Sequence, residues 1–424
     1  MTDEFKMGLR SLIYRRKQYT SLFFVCLFGV GVSLFCLYSV SGMLSALEDK
    51  ARIYYGGDYQ FLGGSGLNQN ISNTEKLEPA FPEDSVIAER FDLDADFAAF
   101  YYEGTGVRQR VIKGVNFNKE KALFSRFNYT EGSAEDIYGT NGILLSEPIA
   151  KMLEVHAGDE ITFMFRNSRN QIDTMPMIVK GIFRDSSLFG MYTSYMDISL
   201  LKQRYGFPAH LCNRICITLP DGSPSKKDTL LYQEKLSEIF NMYHIVEDKN
   251  EYYNNCLYKA DQPYALIKLS ANLQEVQIII DAMKAIVAFV IIMLLIIIVT
   301  GVSSTFRVIA IKRINEIGIY KAIGMRRNKI ARMLITETGV LIIAGCFAGF
   351  ILSLVLCFIS SFVNLSFIPA FDLFLTNGML KPQISFVYFI ILSAVVVVTT
   401  LAAVLFAIRK SVRISPCEAL AVTE

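Results

Sequence analysis

Four long stretches of the chain contain no charged residue. They lie between Lys17 and Glu48, between Lys284 and Arg307, between Glu337 and Asp372, and between Lys381 and Arg409. A helix of roughly 20 apolar residues crosses a bilayer core, and each stretch is too long and too apolar for an ordinary core helix. We therefore predict an integral membrane α-helical protein with four transmembrane helices, at residues 21–44, 276–306 (including a stalk), 338–363 and 384–408.

The first stretch has a second interpretation as a cleaved signal peptide, because residues 1–20 form a basic leader. However, its apolar part is longer than the roughly 7–15 residues of a signal peptide's apolar region, and no clear small-x-small cleavage site follows it. A transmembrane helix is therefore the favoured interpretation.

The basic residues predict the orientation of the helices. The leader carries five Lys or Arg residues, segment 307–337 carries eight and the tail 409–424 carries three, whereas the loop 364–383 carries only Lys381. Cytoplasmic loops are enriched in Lys and Arg. We therefore expect both termini and segment 307–337 in the cytoplasm, with residues 45–275 and the loop 364–383 on the outer side.

Residues 45–275 have the pattern of a large mixed α/β domain. Short apolar runs bounded by turn residues predict strands at Gly142–Leu145, Ile161–Phe165 and Met177–Phe183. Ser146 follows the first strand and is followed by Pro148, an arrangement typical of a helix N-cap. The domain is thus expected to alternate strands and helices.

Two apolar stripes at helical spacing predict longer helices in this region. A helix from Ser223 to about Tyr243 is expected to bury Leu230, Leu231, Leu236, Ile239 and Phe240. The second stripe consists of Leu266, Leu269, Leu273, Val276, Ile280 and Met283. It runs into the second span without Gly or Pro, so we predict one continuous helix that joins the outer domain to the membrane.

The composition gives little basis for catalysis by this chain. Hydrophobic residues make up 52% of it, charged residues 19%, and the net charge is +2. No Gly-Lys dipeptide is present, so a Walker A phosphate loop is missing, and three scattered histidines form no triad or zinc motif. We expect no catalytic residue, metal or cofactor here, and no nucleic-acid partner. The uncharged spans also disfavour an ion-coupled carrier.

Two polar groups outside the spans have alternative interpretations. Cys212 and Cys216 are expected to be buried free thiols, with a Cys216–Cys256 disulfide as the alternative. An acidic run consists of Glu89, Asp92, Asp94 and Asp96. We interpret it as a solvated loop rather than a calcium site.

The segment Arg313–Lys329, RINEIGIYKAIGMRRNK, is short, amphipathic and basic. It fits either a solvated loop helix or a docking helix that inserts an apolar face into a partner's groove. That face would consist of Ile314, Ile317, Ala322 and Ile323. Gly318 and Gly324 would allow a close approach or a helix end.

These residues carry a family resemblance. EIGIYKAIG at Glu316–Gly324 resembles the EIG-x-x-[KR]-A-[IL]-G signature of the FtsX-like, MacB-like permeases of ABC transporters. Leu334, Glu337 and Gly339 fit the stretch that leads into the third span, and Arg413–Leu420 resembles the closing R-x-x-P-x-E-A-L. Residues 110–116, 143–150, 158–159 and 179–183 resemble the MacB-like periplasmic core domain.

The resemblance implies a permease subunit in the bacterial cytoplasmic membrane. Two permeases, identical or paralogous, pair there, and a separate ATPase dimer that binds ATP and Mg docks on their cytoplasmic coupling helices. The implied coupling residues are Arg313, Glu316, Ile317, Gly318, Lys321, Ala322, Gly324 and Met325. The helix of the second span would relay the motion outward.

The length and layout most resemble the lipoprotein-releasing (Lol-type) permeases, which pass lipoproteins to a periplasmic carrier. Arg166–Thr174 is short where those permeases carry a carrier-binding hook, so MacB-like efflux of another amphiphile stays open. A mechanotransmission scaffold that controls an external partner, such as a cell-wall hydrolase, is a further alternative. Candidate substrate-binding residues are Met43, Leu44, Leu47, Phe289, Ile292 and Met293.

Overall fold

A computed structural model describes residues 14, 16–63, 71, 74–95, 97–184, 192–220, 222, 224–256, 264–365, 368 and 371–411. The chain forms two compact units. The helical unit comprises Met1–Ser45, Ile279–Phe367 and Gly378–Glu424, and the sheet domain comprises Ala46–Ile278 and Ile368–Asn377. Most of the leader and the tail motif Arg413–Leu420 lie outside the described residues.

The α-helices are, in chain order, α1 (Arg16–Tyr55), α2 (Lys121–Phe124), α3 (Glu147–Leu153), α4 (Ile198–Tyr205), α5 (Lys226–Ser237), α6 (Lys249–Cys256), α7 (Leu269–Asn272), α8 (Gln274–Lys312), α9 (Ile314–Ala322), α10 (Arg327–Ser360) and α11 (Phe386–Ser411). Short 3-10 helices occupy Thr74–Ala80 and Phe371–Phe374. Within the described residues, α1, α8, α10 and α11 are long and apolar enough to cross a membrane. The prediction of four apolar helices is confirmed.

Glycines allow α1 and α10 to pack closely in the helical unit. A Cβ added at Gly345 would lie 2.6 Å from Cys26 Cβ, and one at Gly349 would lie 2.8 Å from the carbonyl oxygen of Leu27. Small residues permit such close approach between apolar helices. The four long helices share one buried core, which also contains Ile317 of α9.

The sheet domain is built on a single mixed sheet. Its described strands are β1 (Tyr59–Leu62), β2 (Val86–Asp94), β3 (Ala99–Tyr102), β4 (Thr105–Arg108), β5 (Val111–Val115), β6 (Tyr129–Gly132), β7 (Gly142–Ser146), β8 (Glu160–Arg166), β9 (Ile172–Phe183), β10 (Thr193–Asp197), β11 (Arg214–Thr218) and β12 (Ala265–Lys268). They are ordered β12-β1-β11-β2-β5-β10-β7-β9-β8-β3-β4, and β6 also pairs with β9. The pairs β5–β10 and β7–β9 are parallel and the others antiparallel. The predicted mixed α/β domain between the first two long helices is confirmed.

Two hydrophobic cores cover parts of this sheet. One includes Leu153 of α3 and Leu201 of α4, and the other includes Leu77 of the first 3-10 helix and Leu236 of α5. The predicted strands correspond to β7, β8 and β9, and β9 begins earlier, at Ile172. Ser146 is the N-cap of α3, although its hydroxyl makes no capping hydrogen bond.

The buried stripe predicted near residue 230 is largely wrong. The helix there, α5, is only 12 residues long and buries Thr229, Tyr232 and Leu236, whereas three of the five predicted residues are exposed, namely Leu230, Leu231 and Ile239. The buried face of α5 includes a polar residue, Thr229, because its hydroxyl forms a 2.7 Å hydrogen bond with the Tyr59 hydroxyl. A buried hydroxyl with a partner costs little.

The predicted continuous helix begins later than expected. Leu266 lies in β12, which pairs with β1, and Leu269 lies in α7, while α8 begins at Gln274. The acidic run is not a solvated loop either, because Glu89, Asp92 and Asp94 lie on β2; Asp96 is outside the described residues. Cys212 and Cys216 are buried free thiols, so the alternative disulfide is wrong.

Candidate functional site

The segment with the nine-residue signature forms a short helix between two long ones. α8 ends at Lys312, α9 spans Ile314–Ala322, and α10 starts at Arg327. Arg313 is the residue between α8 and α9, with φ −102° and ψ 9°. Segment Arg313–Lys329, which was expected to form one short helix, therefore consists of three parts. They are α9, a turn at residues 323–326 and the first turn of α10.

Gly324 ends α9 in a left-handed conformation, with φ +90°. The Gly324 N–H donates to the Lys321 carbonyl oxygen (3.0 Å) and the Met325 N–H donates to the Tyr320 carbonyl oxygen (3.0 Å), the two bonds of a Schellman motif. A Cβ at Gly324 would have no atom within 4 Å. Of the two roles expected for this glycine, a helix end is the one observed.

A buried ion pair fixes the start of α9. Arg313 Nη1 lies 2.6 Å from Glu337 Oε2 of α10 and donates to the Tyr19 hydroxyl of α1 at 2.9 Å. The Tyr19 hydroxyl in turn donates to Glu337 Oε2 at 2.8 Å. The side chains of Arg313 and Glu337 are 2% and 1% exposed. This triad therefore connects α1 and α10 to the residue that begins α9.

Sequence reasoning missed Tyr19, and it named Glu337 only for its fit to the family pattern and not as a partner of Arg313. The available signal was the position of Glu337, a lone carboxylate at the edge of an otherwise uncharged stretch. A carboxylate buried there needs a cationic partner. Arg313, which was expected on a docking surface, is that partner.

The predicted coupling residues divide into an inner and an outer set. Arg313, Ile317 and Gly318 are buried, Glu316, Lys321 and Met325 are half-buried, and Ala322 and Gly324 are exposed. The expected apolar docking face included Ile317, which instead packs into the core of the helical unit. The outward apolar residues are Ile319 (48% exposed), Ala322 and Ile323 (78% exposed).

A groove of about 660 Å³ lies at the end of α9. Its lining residues are Tyr320, Ile323, Gly324, Met325, Arg326 and Lys329. Tyr320 and Met325 are half-buried, and Arg326 and Lys329 are exposed cations. Tyr, Met and Arg are residue types that are enriched at protein–protein contact surfaces.

The structure does not bring the six candidate substrate-binding residues into one cluster. Met43 is buried and Leu44 half-buried on α1, whereas the three residues from α8 are exposed, namely Phe289, Ile292 and Met293. α8 meets α1 through a different face, where Ile298 approaches Gly29 and Gly301 approaches Val25. Leu47 is buried in the sheet domain. The role of the six residues in substrate binding stays a prediction.

A second arrangement, which the sequence did not indicate, holds the C-terminal end of α1 in the sheet domain. The Tyr54 carbonyl oxygen accepts hydrogen bonds from Lys113 Nζ of β5 (2.6 Å) and from Arg90 Nη1 of β2 (3.3 Å). The last carbonyls of a helix lack partners within it and carry partial negative charge. We call Arg90 and Lys113 the basic clamp; it satisfies these carbonyls and fixes the end of α1 to the sheet.

Acidic partners compensate the buried charges of the clamp. Arg90 Nε lies 2.9 Å from Glu120 Oε1, and Lys113 Nζ lies 3.3 Å from Asp92 Oδ2, which is 3.0 Å from Arg214 Nε. Burial lowers the pKa of the Lys113 ammonium to about 8, although Asp92 opposes this shift. Burial tends to raise the pKa of Asp92, but Lys113 and the two arginines outweigh it and lower that pKa.

One comparison with known proteins bears on the helical unit. Residues 265–416 match the family described as FtsX-like permease C-terminal. No curated protein matches the chain. The match covers α8 to α11, including the signature helix and two members of the buried triad, Arg313 and Glu337; Tyr19 lies outside it. The C-terminal part of the chain is therefore similar to an FtsX-like permease C-terminal domain, which supports assignment to the permease family of ABC transporters.

Proposed function

We propose that this chain is the membrane subunit of an ABC transporter and couples the ATP hydrolysis of a separate ATPase to motion of its sheet domain. The outward face of α9 carries the proposal, because Ile319, Ala322 and Ile323 are exposed. The groove that Ile323 lines is also lined by Arg326 and Lys329. Exposed apolar side chains on a short, firmly anchored helix suit insertion into a partner's groove.

The buried triad supports this role because a docking helix must pass force to the membrane helices. Arg313 joins α9 to Glu337 of α10 and Tyr19 of α1 through bonds of 2.6–2.9 Å. A displacement of α9 would have to move or break these contacts. In this proposal ATP and Mg bind to the partner ATPase dimer, and segment 307–337 faces the cytoplasm.

A second permease, identical or paralogous, would complete the transporter. α8 presents an unusually long exposed apolar face within the described chain, with Phe289, Ile292 and Ile296 each more than half exposed. Lipid or a second permease can cover such a face. The substrate in this proposal is an amphiphile, with lipoproteins as the first candidate and another exported amphiphile as the second.

The basic clamp favours a second candidate function, that of a mechanotransmission scaffold. Arg90 and Lys113 fix the carbonyl end of α1 to the middle of the sheet. A joint of this kind would pass movement of α1 to an external partner, such as a cell-wall hydrolase, without transport of a substrate.

Co-purification from native membranes in a mild detergent tests both functions. The proposal expects an ABC ATPase to accompany the chain, and it expects the purified chain to hydrolyse ATP only with that subunit. Co-purified lipoprotein or lipid favours transport, whereas a hydrolase without lipid favours the scaffold. A preparation that hydrolyses ATP at a transporter's rate without any partner would contradict both.

A further inference from the structure

A cavity in the sheet domain has a mixture of charges and aromatic rings that the proposed coupling function does not use. Its volume is about 390 Å³, within the roughly 300–1,000 Å³ typical of small-molecule sites. One wall is the outer end of α1, where Ala46, Asp49, Lys50, Ile53 and Tyr54 follow helical spacing. The opposite wall comes from the turn after α2 and the adjoining ends of β9 and β10.

Aromatic side chains form the apolar part of the cavity. Phe127 is half-buried and Phe183 is 5% exposed, and their ring centroids are 4.9 Å apart. Phe127 also contacts the buried ring of Tyr195, at 5.5 Å. Burial of this aromatic surface against the apolar part of a ligand would favour binding.

Three cations line the same cavity, with Asp49 as the only carboxylate among its lining residues. Asp49 is already paired with Arg52, at 3.1 Å. Arg126 is exposed and has no ion-pair partner among the described residues. Arg184 lies 3.5 Å from Glu147, which has a closer partner in Lys151 at 2.6 Å. The guanidinium groups of Arg126 and Arg184 therefore leave an excess of positive charge at the cavity.

The backbone holds the two arginines near each other. The Arg184 N–H donates to the Asn128 carbonyl oxygen at 2.8 Å, which joins the end of β9 to the turn that carries Arg126. Guanidinium groups bind phosphate and carboxylate through paired hydrogen bonds. An apolar floor with a cationic rim therefore matches a ligand that has both an apolar part and an anionic head.

We propose that this cavity binds the head-group region of an anionic amphiphile, with Arg126 and Arg184 on the anion and Phe127 on the apolar part. The inference deepens the proposed function, because it gives the class of the substrate. Transport of the bound amphiphile rests on the proposed function. Binding itself requires no ATPase, so it is measured on the full chain alone.

The test is titration of the full-length chain, in an uncharged detergent, with dioctanoyl phosphatidylglycerol, dioctanoyl phosphatidylcholine and inorganic phosphate. The expected result is at least tenfold tighter binding of the phosphatidylglycerol than of the other two. The double variant R126Q/R184Q should lose at least tenfold in affinity for it. The matched control is Arg169→Gln, an exposed arginine outside the cavity, which should bind as the wild type does.

Three results would overturn the proposal. Equal affinity for the two lipids would show that the anionic head group is not recognised. Unchanged binding by the double variant would show that the lipid binds outside this cavity. Binding of inorganic phosphate as tight as that of phosphatidylglycerol would reduce the cavity to a simple anion site. If the double variant fails to fold, the single variants replace it together with Arg126→Lys. Lysine keeps the charge but not the paired hydrogen bonds, so Arg126→Lys should bind more tightly than Arg126→Gln and more weakly than the wild type. Loss of ATPase stimulation with intact lipid binding would count against the proposed function and not against this site.

Discussion

At the residue scale, the pairing of Arg313 with Glu337 is the most consequential contact in the helical unit. Both side chains are almost fully buried, and loss of Glu337 would remove the carboxylate that lies closest to the Arg313 guanidinium, at 2.6 Å against 3.2 Å for Glu316. Removal of one partner from such a pair typically costs about 3–5 kcal/mol, whereas replacement of both by apolar residues is often neutral. The contact thus makes the position of α9 depend on two residues that lie far apart in sequence.

Glu337→Leu should therefore destabilise the chain by about 3–5 kcal/mol, which thermal unfolding in detergent would detect. The double variant R313M/E337L should recover most of the melting temperature but not ATPase stimulation, because α9 would lose its fixed start. Glu316→Gln is the control: that carboxylate is partly exposed and 3.2 Å from Arg313, and such pairs contribute only about 0–1 kcal/mol. Equal melting temperatures for Glu337→Leu and the wild type would contradict the account.

Lys113 gives a prediction about pH. Burial lowers its pKa to about 8 from an ordinary value of 10.5, so between these pH values the unfolded chain binds more protons at this site than the folded one. Stability contributed by this group must then rise as the pH increases from 8 to 10.5. Hydrogen exchange of the β2 and β5 amides should slow over this range in the wild type relative to Lys113→Met. A constant difference between the two proteins would contradict the lowered pKa.

At the scale of elements, the four long helices were predictable because uncharged apolar stretches of this length rarely occur outside membrane-spanning helices. The strands β7, β8 and β9 were predictable from turn residues that flank apolar runs. The stripe from Leu266 to Met283 was misassigned because helical spacing over six residues cannot reveal that its first part pairs with β1. Leu266 lies in a strand because residues 265–268 form backbone hydrogen bonds with β1, which is about 200 residues earlier in the chain.

The same limit applied to charged residues. Glu89, Asp92 and Asp94 were expected in a solvated loop because they cluster with Asp96 in one acidic run. The cations that compensate Asp92 are Lys113 and Arg214, which come from β5 and β11. In the same way, the basic signature segment indicated a docking helix, but only the tertiary structure shows that Arg313 and Ile317 point inward and Ile319 and Ile323 outward.

Packing of α1 against α10 gives a prediction for one glycine. A Cβ at Gly349 would lie 2.8 Å from the Leu27 carbonyl oxygen and 3.0 Å from the Gly31 nitrogen, both backbone atoms that cannot move independently. Gly349→Ala should therefore destabilise the helical unit by about 1–3 kcal/mol. Gly339→Ala, whose Cβ would meet Leu401 at 3.8 Å, should be neutral. The measurement is thermal unfolding of both variants in detergent. Equal melting temperatures for Gly349→Ala and Gly339→Ala would contradict the close packing of α1 against α10 at Gly349.

At the scale of the whole molecule, the proposed topology places α9 and the sheet domain on opposite sides of the membrane. Lys329→Cys and Lys119→Cys, both at exposed positions, test this in a cysteine-free background. An impermeant thiol reagent added to intact cells should label position 119 and leave position 329 unlabelled until the membrane is permeabilised. Labelling of position 329 in intact cells would invert the topology and exclude a cytoplasmic ATPase at α9.

The central claim is that the outward face of α9 is the contact through which a separate ATPase drives this chain. Ile323 is 78% exposed, so Ile323→Asp should leave the fold intact while it places a charge in an apolar contact. Asn315→Asp adds the same charge at another exposed position of α9 and serves as the matched control.

The most direct measurement is the ATPase rate of the partner subunit reconstituted with each of these proteins. The account predicts stimulation by the wild type and by Asn315→Asp, and a loss of at least tenfold with Ile323→Asp at an unchanged melting temperature. Wild-type stimulation by Ile323→Asp would contradict the claim that the ATPase docks on α9.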